Sequence, residues 1–238
     1  MRRIALLFLL AVIALPLLAS QAQAQIVDPL RPAATPEDTD SVLLLHGAFT
    51  YPGYWWDHTD LTVAVQAHPN VDEDSLAAVR QAIADWDFAL RQAFGGLITL
   101  TDVTDEFTAK HKADIVVHYN PTAGGTVFGG YAICGSNKNT CANVIVRSDL
   151  PPSLGLDPYS PQYLYYVTMH ELGHALGLGH AEPLLESTDL MGYGWNRTNM
   201  IVPVLSECDL EGIGVVFAWA LEGVQPYPPT DARVLCHD

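Results

Sequence analysis

The stretch VTMHELGHALGLGH, residues 167–180, decides how this chain folds and what its site can bind. His170 and His174 are four residues apart on a helix, so both imidazoles project from one face and can bind one zinc ion. Six more residues on a straight helix would turn His180 through about 600° and direct it elsewhere. Gly177 predicts a helix end with a positive φ angle, which returns His180 to the same ion.

The extended pattern HExxHxxGxxH resembles the signature of the metzincin metallopeptidases. Members of that family carry a methionine in a tight turn beneath the zinc site. Met191, eleven residues after His180 and followed by Gly192, is similar to that methionine. Tyr193 completes a Met-x-Tyr sequence similar to that of the astacin and serralysin types, whose tyrosine coordinates zinc or stabilises the oxyanion. Plain packing is the alternative role for Tyr193.

The resemblance covers roughly residues 50–222 and is nearest to a small matrixin-like catalytic domain. Matrix metallopeptidases hold a second, structural zinc and a neighbouring calcium with a stretch rich in His and Asp. His111 and His118 are too sparse to form such a stretch. We therefore expect one catalytic Zn²⁺, and the sequence leaves Ca²⁺ open as a further ion.

Glu171 follows the first histidine and is the predicted general base. Three neutral histidine ligands leave the charge of zinc uncompensated, so a zinc-bound water can have a pKa of about 7. Glu171 would accept the proton of that water and pass it to the leaving amine nitrogen. The chemistry expected of the site is therefore hydrolysis of peptide bonds without a covalent intermediate.

A glycine-rich apolar segment, residues 124–132, lacks the GxxxxGK[ST] pattern of a phosphate loop. It predicts a loop and an edge strand that another backbone can approach closely. Residues 128–134 resemble the metzincin edge strand, which pairs with the extended backbone of a substrate. The resemblance thus implies that Gly129, Gly130 and Tyr131 bind substrate.

Residues 1–24 have the pattern of a signal peptide. Arg2 and Arg3 precede an apolar run at residues 4–18, and Ala22 and Ala24 mark a small-residue cleavage site. Residues 25–50 are predicted to be an N-terminal arm or a short pro-segment, because their first part is rich in Pro, Asp and Thr. Residues 51–238 would form the catalytic domain. We expect a secreted protein, extracellular or periplasmic, with no membrane anchor after signal cleavage.

The net charge limits the classes of partner that the protein can bind, and the cysteine content indicates its redox environment. Eleven Lys and Arg stand against 27 Asp and Glu, a formal net charge of −16. Nucleic acids and anionic membranes are therefore excluded as partners, and a monomer acting on a protein or peptide substrate is expected. Four cysteines in an exported chain predict two disulfide bonds. We expect Cys134–Cys141 and Cys208–Cys236, although the spacing allows two other pairings.

Periodic patterns predict strands at residues 61–65, 97–103, 113–119, 128–134 and 143–147. They predict helices at about 72–95, from 161 through the histidine motif, and at 209–221. The resemblance implies a metzincin or zincin-like α+β fold. Such a fold has a twisted, mixed five-stranded sheet, two long helices, and a small C-terminal subdomain with a last helix.

Two functions are consistent with these patterns. The first is a secreted zinc-dependent endopeptidase of the metzincin type, and the second is a zinc-stabilised peptide-binding module with little or no catalysis. A serine hydrolase is disfavoured because the HG sequence at residues 46–47 is not accompanied by a GxSxG nucleophile motif.

Overall fold

The computed structural model describes residues 46–49, 55–69, 71–120, 130–135, 140–147, 160–181, 189–192, 203–223 and 233–236. Its strands are β1 (His46–Phe49), β2 (Asp60–Ala67), β3 (Thr99–Asp102), β4 (Ile115–Asn120), β5 (Gly130–Gly135), β6 (Thr140–Arg147) and β7 (Arg233–Cys236). Its helices are α1 (Glu73–Ala93), α2 (Pro161–Ala175), α3 (Glu207–Val216) and α4 (Ala218–Leu221). Within these ranges, no helix combines the length and the apolar character needed to cross a membrane.

Five strands form one mixed sheet in the order β3-β2-β4-β6-β5. The first four are parallel to one another, whereas β5 runs antiparallel to β6 at the edge. The core of β4 alternates buried Ile115, Val117 and Tyr119 with half-buried neighbours, so one face of the sheet carries most of the apolar contacts. The predicted mixed five-stranded sheet is confirmed, and it is mostly parallel.

Helix α1 begins where its acidic first turn predicts. Asp72 is the N-cap and its side chain accepts a hydrogen bond from the Ser75 N–H at 2.8 Å. Glu73 and Asp74 follow in the first turn, where negative charge favours the helix dipole. Four of the five residues of the predicted apolar face are fully buried: Val79, Ile83, Trp86 and Leu90. The helix therefore packs along one face, against β2 and β3.

Helix α2 is largely buried, with ten of its fifteen residues almost inaccessible to solvent. Ser160 caps it and Pro161 occupies its first turn, as the sequence predicts. It packs against α1 on one side and against β5 and β6 on another. Two tryptophans from other parts of the chain donate to its backbone: Trp86 Nε1–H to the Met169 carbonyl at 2.8 Å, and Trp56 Nε1–H to the Ala175 carbonyl at 2.9 Å. These bonds fix α2 relative to α1 and to the segment before β2.

The C-terminal part differs in two ways from the predicted single helix at residues 209–221. The helix begins earlier, with a capping box in which Ser206 and Asp209 bond to each other's backbone N–H. It is interrupted at Phe217, which separates α3 from α4 and is itself fully buried. The pairing of β1 with β7 was not predicted, and α3 packs against both of these strands.

The cysteines lie at positions compatible with the expected pairing. Neither Cys134 nor Cys208 is a free thiol. Cys134 lies in β5 beside β6, the strand that contains Cys141, and Cys208 lies in α3, which packs against the strand that contains Cys236. The two specific pairings stay predictions, as do the domain limits at residues 24 and 50.

Replacing Trp86 with Phe tests the link between α1 and α2. The variant loses the indole donor to the Met169 carbonyl and leaves a void in a fully buried position. We expect the free energy of unfolding to fall by about 3 kcal/mol, measured by urea denaturation. Phe88→Ala on the same helix is the control, because Phe88 is 66% exposed and its loss should cost less than about 0.5 kcal/mol. Equal losses in the two variants would contradict this account.

Candidate metal centre

The end of α2 brings the third histidine back towards the first two. Gly177 has a φ angle of 108°, which side chains with a Cβ rarely adopt. The Gly177 N–H donates to the His174 carbonyl at 3.0 Å, and the Leu178 N–H donates to the Gly173 carbonyl at 2.9 Å. This pair of bonds is the Schellman arrangement that closes a helix at a glycine. The predicted termination of α2 at Gly177 is confirmed.

His170, His174 and His180 together form a compact group of nitrogen donors. One ligand nitrogen from each residue lies within 4.8 Å of the others. The Nε2 atoms of His174 and His180 are 3.2 Å apart. His174 is buried, and the other two are partly buried. The three residues that the sequence predicts as ligands are therefore adjacent in space.

Two backbone carbonyls orient the histidines of α2. His170 Nδ1 is 2.7 Å from the Leu190 carbonyl and His174 Nδ1 is 2.8 Å from the Leu178 carbonyl. A carbonyl only accepts, so each Nδ1 carries the proton and each Nε2 presents a lone pair towards the group. This is the tautomer that a metal-binding histidine needs.

The electrostatics of the group keep the imidazoles neutral. Burial lowers the pKa of His170 to about 4, and it also lowers the pKa of His174 and of His180. Neighbouring histidines add to the shift at His170 and His174, because two positive rings repel each other. Three neutral nitrogen donors at short range suit a divalent cation such as Zn²⁺.

Glu171 follows His170 in α2, and its side chain approaches β5 at Gly130. It is 6% exposed, and burial raises its pKa to about 8. The Ala132 N–H of β5 donates to the carboxylate. The Oε2 atom is buried and has no hydrogen-bond partner among the described residues. An unsatisfied carboxylate oxygen beside three nitrogen donors fits a centre that holds a metal ion and water.

Met191 lies in a tight turn on the other side of α2. The Gly192 N–H donates to the Asp189 carbonyl at 2.9 Å, and Ala181 N–H donates to the Met191 carbonyl at 2.8 Å. Met191 is fully buried, and a Cβ at Gly173 would overlap its sulfur. The turn thus packs directly against the helix that carries the histidines.

The predicted substrate-binding residues divide between two faces of β5. Gly130 is buried against α2, whereas Tyr131 is 40% exposed on the opposite face. Gly129 and Tyr193 lie outside the described residues. Their roles stay predictions, as does the supporting role of Met191.

Several groups that shape the site carry no sequence signal. The carbonyls of Leu178 and Leu190 and the N–H of Ala132 are backbone groups, which every residue except proline offers alike. Asp209 is a side chain that sequence reasoning missed as part of the site. It is fully buried, and the charge of Asp189 acts on it, so it lies near the turn that contains Leu190 and Met191. Asp209 thereby places the start of α3 near the turn whose Leu190 carbonyl orients His170.

Comparisons with known proteins give structural likeness only. No family model matches the sequence, and no curated protein matches it. The structure is similar to an archaemetzincin from Methanopyrus kandleri, with a TM-score of 0.42 and 14% identity over 68% of this chain and 98% of that chain. It is also similar to metalloproteinase-II from Bacteroides fragilis, with a TM-score of 0.44 and 16% identity over 74% of this chain and 59% of that chain. For the hatching-enzyme zinc-protease HCE-1 from Oryzias latipes, the TM-score is 0.31 and the identity is 16% over 53% of this chain. The match covers 50% of that protein, so the chain spans half of its length. The function is therefore argued from the site itself.

Gly177→Ala tests the helix end that assembles the three histidines. The added Cβ would lie 2.9 Å from Val216 Cγ1, and the alanine would have to adopt the positive φ angle of Gly177. We expect a loss of about 1 to 3 kcal/mol in the free energy of unfolding and weaker zinc binding, measured by urea denaturation and zinc titration. Gly214→Ala is the matched control, because its Cβ meets nothing closer than 3.6 Å and helix propensity favours alanine. Unchanged zinc affinity in Gly177→Ala would contradict the assigned role.

Asp209→Asn tests whether the buried Asp209 carboxylate makes the stability of the protein depend on pH. Burial, and then the charge of Asp189, raises the pKa of Asp209 from 3.8 to about 7. Between these values the folded protein binds a proton that the unfolded chain has released, so stability is lost as the pH rises from about 4 to 7. We expect the wild type to lose more stability than Asp209→Asn over this range, in denaturation curves at successive pH values. Parallel curves for the two proteins would refute the prediction.

Proposed function

We propose that this protein is a secreted zinc-dependent endopeptidase of the metzincin type, with a small matrixin-like catalytic domain. The observation that carries the proposal is the group of three neutral histidine nitrogens within 4.8 Å of one another, with the buried carboxylate of Glu171 beside them. A site built only to stabilise a fold has no use for an unsatisfied buried carboxylate, because burying one is costly.

His170, His174 and His180 would hold the ion through nitrogen. Zinc supplies Lewis-acid chemistry when bound, since it acidifies water and polarises a carbonyl oxygen. The chain's own contribution is the Glu171 carboxylate, which accepts a proton from the attacking water and delivers it to the amine nitrogen as the C–N bond breaks. Burial raises the pKa of this carboxylate, so it holds a proton more readily than an exposed glutamate does.

The edge strand β5 is the proposed binding site for an extended peptide. Among the described strands it pairs with β6 alone, so its other edge can accept a further strand by main-chain hydrogen bonds. Glu171 contacts this strand directly, through the Ala132 N–H. A peptide bound along β5 would therefore pass close to the carboxylate that acts on it.

Further features of the proposal concern the protein's surroundings. Its net charge of −16 supports partners that are neither nucleic acid nor anionic membrane. We propose a monomer that acts outside the cell or in the periplasm after removal of residues 1–24, with Zn²⁺ as its catalytic ion.

Glu171→Ala tests the enzymatic assignment. With the general base removed, we expect hydrolysis of an unfolded protein to fall by about 10² to 10⁴-fold while one zinc per chain is retained. The measurement is release of new amino termini from an unfolded casein-like substrate, together with the zinc content. Glu211→Ala is the matched control, because Glu211 is exposed on α3 and its loss should leave the rate unchanged.

Metal removal separates the competing functions. A chelator should abolish hydrolysis by the wild type, and added Zn²⁺ should restore it. If wild type and Glu171→Ala bind zinc equally and are equally inert, the endopeptidase is refuted and the zinc-stabilised peptide-binding module takes its place. Hydrolysis that persists in chelator would point to a nucleophile outside this site.

A further inference from the structure

Strand β5 approaches α2 closely at Gly130. A Cβ built on Gly130 would lie 2.7 Å from Glu171 Cγ, 2.8 Å from Val167 Cγ1 and 2.9 Å from the Ile145 carbonyl oxygen. Each distance is shorter than a real Cβ contact, so a side chain at this position would displace one of its neighbours. Gly130 therefore marks a place where the backbone of β5 meets two side chains of α2 and leaves no space for a Cβ.

The three neighbours differ in their freedom to move. The Ile145 carbonyl belongs to β6 in the interior of the sheet, and Val167 is β-branched and held to one rotamer in a helix. Glu171 has more rotatable bonds, so its side chain is the one that a Cβ at Gly130 would displace. The same strand holds the other end of that side chain, because the Ala132 N–H donates to the carboxylate.

We propose that Gly130 and the Ala132 N–H position the Glu171 carboxylate for hydrolysis, Gly130 by leaving room for its Cγ and Ala132 by binding its oxygen. Gly130 is then a positioning residue for the general base, a role that requires no contact of its own with metal or substrate. This inference rests on the proposed endopeptidase function, and it assigns to Gly130 a role distinct from the substrate binding that the sequence predicts.

The alternation of β5 supports the assignment. Gly130 is buried and Ala132 packs against the core, whereas Tyr131 and Ile133 are 40% and 43% exposed on the other face. The side of β5 that faces α2 thus carries only small residues, and it meets α2 at the carboxylate that the chemistry uses. The exposed side chains do not contribute to this contact.

Gly130→Ala in the full-length, zinc-loaded protein is the first test. We expect kcat on a peptide substrate to fall by about ten-fold or more, with KM within about two-fold of wild type, because proton transfer depends on carboxylate geometry. Zinc content and the absorption spectrum of the cobalt-substituted protein should stay unchanged, because the histidines are not displaced. Gly214→Ala is the matched control and should leave kcat, KM and the spectrum as in the wild type.

Ala132→Pro is the second test; it removes the N–H donor and adds a ring that fixes the φ angle at this position. Proline is tolerated in an edge strand where the N–H is not part of the ladder. We expect the same pattern as for Gly130→Ala, a lower kcat with zinc and KM retained.

A double variant, Gly130→Ala with Val167→Ala, is the third test. It removes one of the two side chains that a Cβ at position 130 would meet, and it should restore part of the lost kcat.

The outcomes separate this inference from the proposed function. An active wild type with an unchanged kcat in Gly130→Ala, or with a change in KM alone, overturns the positioning role and favours substrate binding. Loss of zinc or of thermal stability in both β5 variants assigns the strand a structural role and also overturns it. A zinc-loaded wild type that hydrolyses nothing refutes the endopeptidase first, and the positioning role with it.

Discussion

The hydrogen bonds from His170 and His174 to backbone carbonyls are the interaction on which the site depends. A helix can place two imidazoles on one face, but it cannot decide which nitrogen of each ring carries the proton. The carbonyls of Leu190 and Leu178 make that choice, at 2.7 and 2.8 Å. The glycine that ends α2 places the Leu178 carbonyl, and the turn around Met191 places the Leu190 carbonyl.

The elements that present the histidines could be predicted from the sequence. The cap at Ser160, the glycine at 177 and the one-sided apolar spacing of α1 are local signals, and each reflects a local physical cause. Those signals are strong because each residue acts on backbone only a few positions away in the chain. The three histidines themselves are predicted as a group by the spacing of the HExxHxxGxxH pattern.

The rest of the site depends on contacts between distant segments, which leave weaker traces. A backbone carbonyl has no sequence signature, so Leu190 could not be identified as the partner of His170. The glycines near residue 130 did predict a close approach of backbones, but not that Glu171 would be the neighbour. The helical pattern of residues 209–221 is continuous and carries no signal for the interruption at Phe217, which is fully buried.

The pairing of β1 with β7 has a consequence for the order in which the protein can fold. His46 and Cys236 are register partners although almost the whole chain lies between them. Contacts of such long range close slowly, and during synthesis they must wait until the last strand has emerged. The pair packs on α3, the helix that carries Asp209. The packing of α3 is therefore completed late, and a chain cut short before β7 would lack the strand pair against which that helix packs.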